Sequence, residues 1–336
     1  MQNIKNYWSG DRPPCVVGAI RNPAYRQLAP AQMADGAVES LRGWDESRAN
    51  LPPMFFPDFG PPTMAKSWGG EVVRQDNGEF FIKPVARTVD EALEIQPREN
   101  PDERLALDIF REVCGRLGRT DILFRTLDLQ GVLNTAAMVV KQEELLIAMH
   151  AEPDKAHAFL GRVCDDCIRF VRELLAEVGR VHGNIWPYFW LPSEFGVSIT
   201  EDLMPLLSAE LYVEFGMPYL KRVADEFGGV FIHCCGDFAR HLGPLAESGI
   251  RILGFDFHHP FTTFRQIQEH FDGIVLTPNM YGARAPEYAT GADFLRSILE
   301  ERSGKNAIWM PACDELPQDI SRVITKHGGS LDGFRE

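Results

Sequence analysis

From residue 121 onward, short apolar runs alternate with long amphipathic stretches. The runs are DILF (121–124), VHGNIW (181–186), GVFIHCCG (229–236), RILGFDF (251–257), GIVLTPN (273–279) and NAIWMPAC (306–313). Between them lie QEELLIAMH, PDKAHAFLGRVCDDCIRFVRELLAEVG, SAELYVEFGMPYLKRVADEFG, ARHLGPLAESG, TTFRQIQEHF and ADFLRSILEERSG, whose apolar residues recur at helical spacing. Buried strands separated by crossover helices mean parallel pairing, because a parallel connection needs a dozen or more residues. Strand–helix units of roughly 20 to 45 residues, repeated this often, predict an α/β fold, a (β/α)8 TIM barrel. A doubly wound open sheet is the second architecture such a pattern allows. Its usual fingerprint, G-x-G-x-x-G, is not found, and neither is G-x-x-x-x-G-K-[ST].

The first 100 residues break the rhythm. LPPMFFPDFGPPTMAKSWGG (51–70) is dense in Pro and Gly and reads as a long surface-crossing loop with aromatic anchors. EVVRQ and EFFIKP flank Asp76-Asn77-Gly78; Asn-Gly favours a tight primed turn, so a hairpin is expected there. DERLALDIFREVCGRLG (102–118) has helical spacing and stops at a glycine. The expected organisation is one barrel domain over 1–336, with 1–100 as an irregular, loop-rich N-terminal extension covering part of the barrel.

Composition narrows the function classes. Of 336 residues, 45% are hydrophobic and 24% charged, which suits a globular chain with a large core. A formal net charge of −14 disfavours non-specific binding to nucleic acid or anionic lipid, which carry the same sign. No run of about 18 apolar residues is present. The start, MQNIKNYWSGDRPP, lacks an apolar signal-type segment. A cytoplasmic protein is expected, with no nucleic acid and no membrane among its partners. The seven cysteines are then reduced, as core filler, ligands or nucleophiles.

The strongest chemical feature is Phe231-Ile232-His233-Cys234-Cys235-Gly236-Asp237, where an apolar strand ends at a glycine. Residues two apart on a strand share a face, so His233 and Cys235 point together and Cys234 points away. An imidazole beside a thiolate at a barrel mouth is a pair of ligands for a borderline divalent metal. Cys313 follows the strand AIWMPA, also at a carboxyl end, and such ends converge in a barrel. One His and two Cys leave a fourth position open, the pattern of catalytic zinc. The bland alternative stays open on spacing alone: a hydrogen-bonded core histidine and two small buried thiols.

The segment IHCCGDFARHLGPLAESGIRILGFDF resembles the uroporphyrinogen decarboxylase superfamily, and within it the zinc-dependent, corrinoid-linked methyltransferases of the methylcobalamin:coenzyme M type. Those carry an H-x-C-G strand end, a helix, a strand ending near an Asp, and a late third Cys; the pattern falls here on His233, Cys235, Gly236 and Cys313. LQGVLNTAAMV (129–139) resembles the family's Gly-rich turn, and EDLMPLLSAELYVEFGMPYLKRVAD (201–225) a further stretch. The resemblance covers roughly residues 50 to 320. It implies a (β/α)8 barrel, zinc, and methyl transfer between a corrinoid cobalt and a thiol or other small acceptor or donor. The corrinoid would ride on a separate small protein, because the chain has no obvious second domain to carry it. Two departures stand out. The start, PPCVVGAIRNPAYRQ, has no counterpart of the decarboxylases' Arg-rich motif, which argues against a porphyrinogen substrate. Pro311-Ala312-Cys313 stands where the zinc subgroup has Pro-Gly before its late Cys.

Other residues are weighed singly. Asp202 and Asp256 are the catalytic candidates: each holds a ligand histidine or binds a substrate group, with a helix cap or plain surface as the alternative. Gln130 and Asn279, at expected strand ends, are polar substrate-binding candidates. His258 and His259 read as surface loop, with a fourth ligand or proton carrier as the alternative. Trp186, Tyr188, Phe189 and Trp190 read as core, with Tyr188 offered as part of a wall for an aromatic substrate or a corrin face. Cys164 and Cys167 form a C-x-x-C on a long helix without a second pair, and are read as structural. Two further functions compete. One is a metal-free decarboxylase of the same superfamily acting on a small carboxylic acid, with Arg21, Arg26 and Arg240 as its cations. The other is a non-catalytic zinc-binding protein whose fourth position is filled by Asp256 or His258.

Overall fold

The computed structural model describes residues 7–8, 15–20, 29–42, 44, 53–57, 59–74, 80–179, 181–182, 191–279, 288–313 and 318–329. In chain order the strands are β1 (Cys15–Ile20), β2 (Met54–Phe55), β3 (Glu71–Arg74), β4 (Phe80–Lys83), β5 (Leu123–Arg125), β6 (Val181–His182), β7 (Val197–Thr200), β8 (Val230–Cys234), β9 (Ile252–His258), β10 (Val275–Asn279) and β11 (Ala307–Cys313). Six form one sheet in the order β1-β11-β10-β9-β8-β7, and β2-β5-β6 form a second. Every pairing in both is parallel. The sheets meet at 129–131, where Gln130 bridges Thr200 of β7. There the Thr200 N–H donates to Leu129 O at 3.1 Å and the Gly131 N–H to Thr200 O at 2.7 Å. This is the parallel, helix-alternating wall that the hydrophobic rhythm predicts.

Each expected run supplies a strand, and those in the middle of the large sheet are buried on both faces. VFIHC of β8 and VLTPN of β10 are buried at every position, the mark of a parallel strand covered by helices. Pro278 and Pro311 sit inside strands although proline cannot donate to a ladder. The β10–β11 pairing stops at Leu276–Ile308, below both. Gly254 has a stricter reason: a Cβ there would meet Val275 O at 1.9 Å and the Phe231 ring at 2.7 Å. A register shift between Val230 and Phe231 accompanies that close approach of β9 to its neighbours.

The amphipathic stretches form helices, the longest being Pro153–Val178. The 201–225 region divides into Ala209–Phe215 and Met217–Phe227. Pro218 explains the break, since its ring excludes a continuous helix but suits a first turn. The helix expected at 102–118 is Pro101–Leu117, capped by the Asn100 side chain and closed by Gly118 at φ 62°. The expected hairpin is also present, with Glu71 opposite Lys83 and Arg74 opposite Phe80.

The N-terminal region is more regular than its composition suggests. β1 pairs with β11, a helix spans Pro30–Arg42, and the Pro/Gly-rich stretch holds β2 and a 3-10 helix, Pro61–Trp68. β7 was hidden for a different reason: VSIT is short and half hydroxylated, yet buried throughout. Among the described residues, no helix is long and apolar enough to cross a membrane.

Register then sets the levels of the sheet's carboxyl end. Gln130 pairs with Thr200, Thr200 with His233, His233 with Asp256, and Asp256 with Thr277. One pleat higher, His258 pairs with Asn279.

Candidate metal centre

His233 is the last residue but one of β8 and is 7% exposed. Its Nδ1 lies 2.6 Å from Oδ2 of Asp256, which is 0% exposed at the paired position of β9. An ionised carboxylate only accepts, so Nδ1 carries the proton and Nε2 is turned to the other side. There Nε2 lies 3.1 Å from Cys235 Sγ. Cys235 is exposed, while Cys234 between them is fully buried. The alternation read from the strand therefore holds.

The neighbouring strand end fixes the cysteine. Asp202, two residues past β7, accepts the Cys235 N–H at 2.8 Å on Oδ1, and the same oxygen is 4.0 Å from His233 Nε2. The Glu201 N–H donates to His233 O at 2.8 Å. Across the mouth, His258 ends β9, and its Nε2 is 2.6 Å from Asn279 Nδ2. The His258 and His233 rings meet edge to face at 5.7 Å. One ligand atom each from His233, Cys235 and His258 all lie within 4.8 Å of one another. His258 is thus the end of a strand and not surface loop.

These groups open into a cavity of about 510 Å3, lined also by Asp128, Gln130, Asn134, Gln142, Met138 and Leu206. Its polar wall is a relay of amides with one sense. The Leu203 N–H donates to Asn134, Asn134 to Gln130, and Gln130 to Asp128, each at 2.8 Å. A larger depression of about 870 Å3 is lined by Asp165, Arg172, Arg222 and Glu226. Its charges are already spent on each other, with Arg222–Asp165 at 2.5 Å and Arg172–Glu226 at 2.6 Å.

Burial shapes the proton chemistry. Burial pulls the His233 imidazole down, but the charge and hydrogen bond of Asp256 outweigh it, and the net shift is well upward. Burial raises Asp256 against the pull of His233, leaving it at about 6 and ionised at neutral pH. Burial lowers His258 to about 4, with the His233 charge acting in the same direction, so it is a neutral imidazole with a lone pair to offer. Behind the site, Glu201 is pushed up to about 8 by burial, against a hydrogen bond from Tyr212 OH at 3.3 Å.

Comparison with known proteins bears on this same stretch. Residues 196–318 match the profile of the uroporphyrinogen decarboxylase (URO-D) family. A methylated-thiol–coenzyme M methyltransferase of Methanosarcina mazei is 28% identical over 106 residues, covering 31% of this chain and 25% of that protein. The chain thus spans about a quarter of the length of that relative. A solved methyltransferase structure from Methanosarcina mazei has the same fold, with a TM-score of 0.62 and 13% identity over 96% of both chains.

The matching stretch runs from β7 to β11, so it includes His233, Cys235, Asp256, His258 and Asn279. Asp202 and Asn279 line the cavity as expected, and Gln130 joins them from outside the segment. Asp256 does not line it but holds the ligand histidine from behind. Cys313 ends β11, with its backbone opposite Ile20; its side chain lies outside the described atoms, and Tyr188 lies outside the described residues. Arg240 is not among the residues lining the cavity, and Arg21 and Arg26 also fall outside the described residues. Cys164 and Cys167 are core residues, as read. Asp128, Asn134 and Glu201 were missed. Asp128 and Glu201 each follow a strand, which was the available signal.

Proposed function

We propose that this chain is a zinc-dependent methyltransferase that moves a methyl group between a corrinoid cobalt and a thiol or other small acceptor or donor. The observation that carries the reading is the His233–Cys235 pair, 3.1 Å apart and braced by Asp256 at 2.6 Å, beside an open cavity. The donor set fits zinc. An imidazole whose far nitrogen donates to a carboxylate, together with a thiolate, is a zinc half-site with its outer support already built. In this reading His233, Cys235 and Cys313 hold the ion. When bound, zinc would supply the positive charge that deprotonates a coordinated thiol at neutral pH.

The rest of the work falls to the protein. Asp256 keeps the proton on Nδ1 and leaves Nε2 as the donor. Asp202 holds the 233–235 turn by its backbone, which keeps Sγ beside the imidazole. Gln130 and Asn134, their amides locked head to tail, form a rigid polar wall against which a small substrate is positioned. The corrinoid, carried on a small partner protein, would meet that substrate at the cavity mouth. The relative's activity supports this reading over a decarboxylase.

Metal analysis of protein expressed with zinc is expected to give about one ion per chain, and Cys235→Ser is expected to lose it. Methyl transfer from methylcobalamin to a small thiol should fall with it. Undiminished zinc in the variant would overturn the reading.

A further inference from the structure

We propose that His258 is a ligand of the ion and that Asn279 is the positioning residue that holds its ring on the metal. The inference rests on the metal reading above and goes beyond its three ligands: without substrate, His258 fills the position that a thiol takes up. Two histidines face the same cavity, and each has a partner one strand away: Asp256 accepts from His233 Nδ1–H, and the Asn279 amide lies 2.6 Å from His258 Nε2, where its oxygen, turned toward the ring, accepts from Nε2–H and leaves Nδ1 to the ion. Metal-bound histidines need such a partner, because the bond made by one ring nitrogen sets the tautomer and aim of the other. Asn279 is only 2% exposed, so its amide is committed to this place.

Register gives the second argument. His233 pairs with Asp256, so two residues on, Cys235 and His258 come to the same level of adjacent strands. His258 in turn pairs directly with Asn279. Their side chains share a face, since alternate residues on parallel neighbours do. This places a sulfur and two imidazoles within one ion's reach, with ligand atoms inside 4.8 Å of one another. Cys313 lies two residues beyond Pro311, above the last β10–β11 pair at Leu276–Ile308. The ring at the level of Cys235 belongs to His258. Chemistry agrees: a neutral imidazole adds no charge to the site, so each nitrogen ligand leaves the ion more electrophilic than a further thiolate would.

The test is cobalt(II) titration of the full chain, read by its visible absorption, with zinc affinity measured against a chromophoric chelator. Wild type, His258→Ala, His258→Gln, Asn279→Leu, Asn279→Asp and Cys235→Ser are compared, with circular dichroism to confirm folding. Both His258 variants are expected to shift the cobalt bands and weaken zinc. Asn279→Leu should lose 10- to 100-fold in affinity, on the order of other outer supports, and Asn279→Asp should restore it. If the folded His258 variants keep the wild-type cobalt spectrum and affinity while Cys235→Ser loses both, His258 is no ligand although the metal reading stands. If wild type binds neither ion, both fall together.

Discussion

Asp256→Asn probes the brace behind the metal site with almost no change of shape. The wild-type contact is 2.6 Å between His233 Nδ1 and a carboxylate that is 0% exposed. Charge-assisted bonds of this kind are roughly twice as strong as neutral ones. The asparagine oxygen still accepts from Nδ1–H, so the tautomer survives, but the negative charge that raises the basicity of Nε2 is gone. Loss of an outer partner typically lowers metal affinity by about 10- to 100-fold, which is about 1.4 to 2.8 kcal/mol. Folding should suffer less than the loss of a buried ion pair suggests. Without Asp256, burial itself pulls the imidazole toward its neutral form, so no unpaired charge is stranded. Zinc competition with a chromophoric chelator gives the affinity, and proton NMR of the imidazole gives the His233 titration. The variant should bind zinc about 10-fold or more weaker, and His233 should titrate well below its wild-type value. A variant with wild-type zinc affinity and an unmoved His233 titration would refute this account of the brace.

Glu201→Gln should change how stability varies with pH. Burial pushes the folded carboxyl up to about 8 from its ordinary 4.5, so the folded state holds a proton that the unfolded state has lost between those values. Stability therefore falls as pH rises from 4.5 to 8 and then levels, by about 5 kcal/mol at most from this group. Urea melts of metal-free protein should show the variant near wild type at pH 5 and more stable at pH 9; parallel curves would rule this out. Thiol alkylation should mark Cys235 first and be slowed by zinc, whereas Cys15, Cys164, Cys167 and Cys234, all buried, react only in denaturant; peptide mapping that finds Cys164 labelled as fast as Cys235 would contradict it. Gly131→Ala would put a Cβ 2.1 Å from Glu201 Oε1 and 2.7 Å from Thr200 O, and since the second is backbone the cost should be about 1–3 kcal/mol, read as a lower urea midpoint. An unchanged midpoint would mean that the 129–131 bridge yields freely.

The parts of the site legible in the sequence were those set by strand periodicity. His233 and Cys235 could be paired because two residues on a strand always share a face. Asp256 could be named because it ends the next apolar run. Its task, holding His233, needed the register between β8 and β9, which no single strand encodes. His258 was misplaced for a related reason. RILGFDF looks finished at its last apolar residue, but β9 runs one residue further because Asn279 of β10 pairs with it. In the N-terminal region, proline and glycine masked real order. CVVGAI is a short run among prolines, and only β11 beside it makes it a strand.

The division of the cavity wall follows the division of the chain. Every nominated ligand, with Asp202, Asp256 and Asn279, lies inside 196–318, the stretch that matches the family. Asp128, Gln130, Asn134, Met138 and Gln142, which line the opposite side, come from before it. The two parts are joined by the Gln130–Thr200 bridge, which sets the polar wall at the level of His233, and by the pairing of β1 with β11. A metal site tolerates little variation, because donor type, spacing and outer support must all agree. A wall that only positions a small molecule is free to change side chains so long as its amides stay paired. The stretch that matches the family profile therefore holds the candidate metal ligands, and the polar wall of Asp128, Gln130 and Asn134 comes from before it.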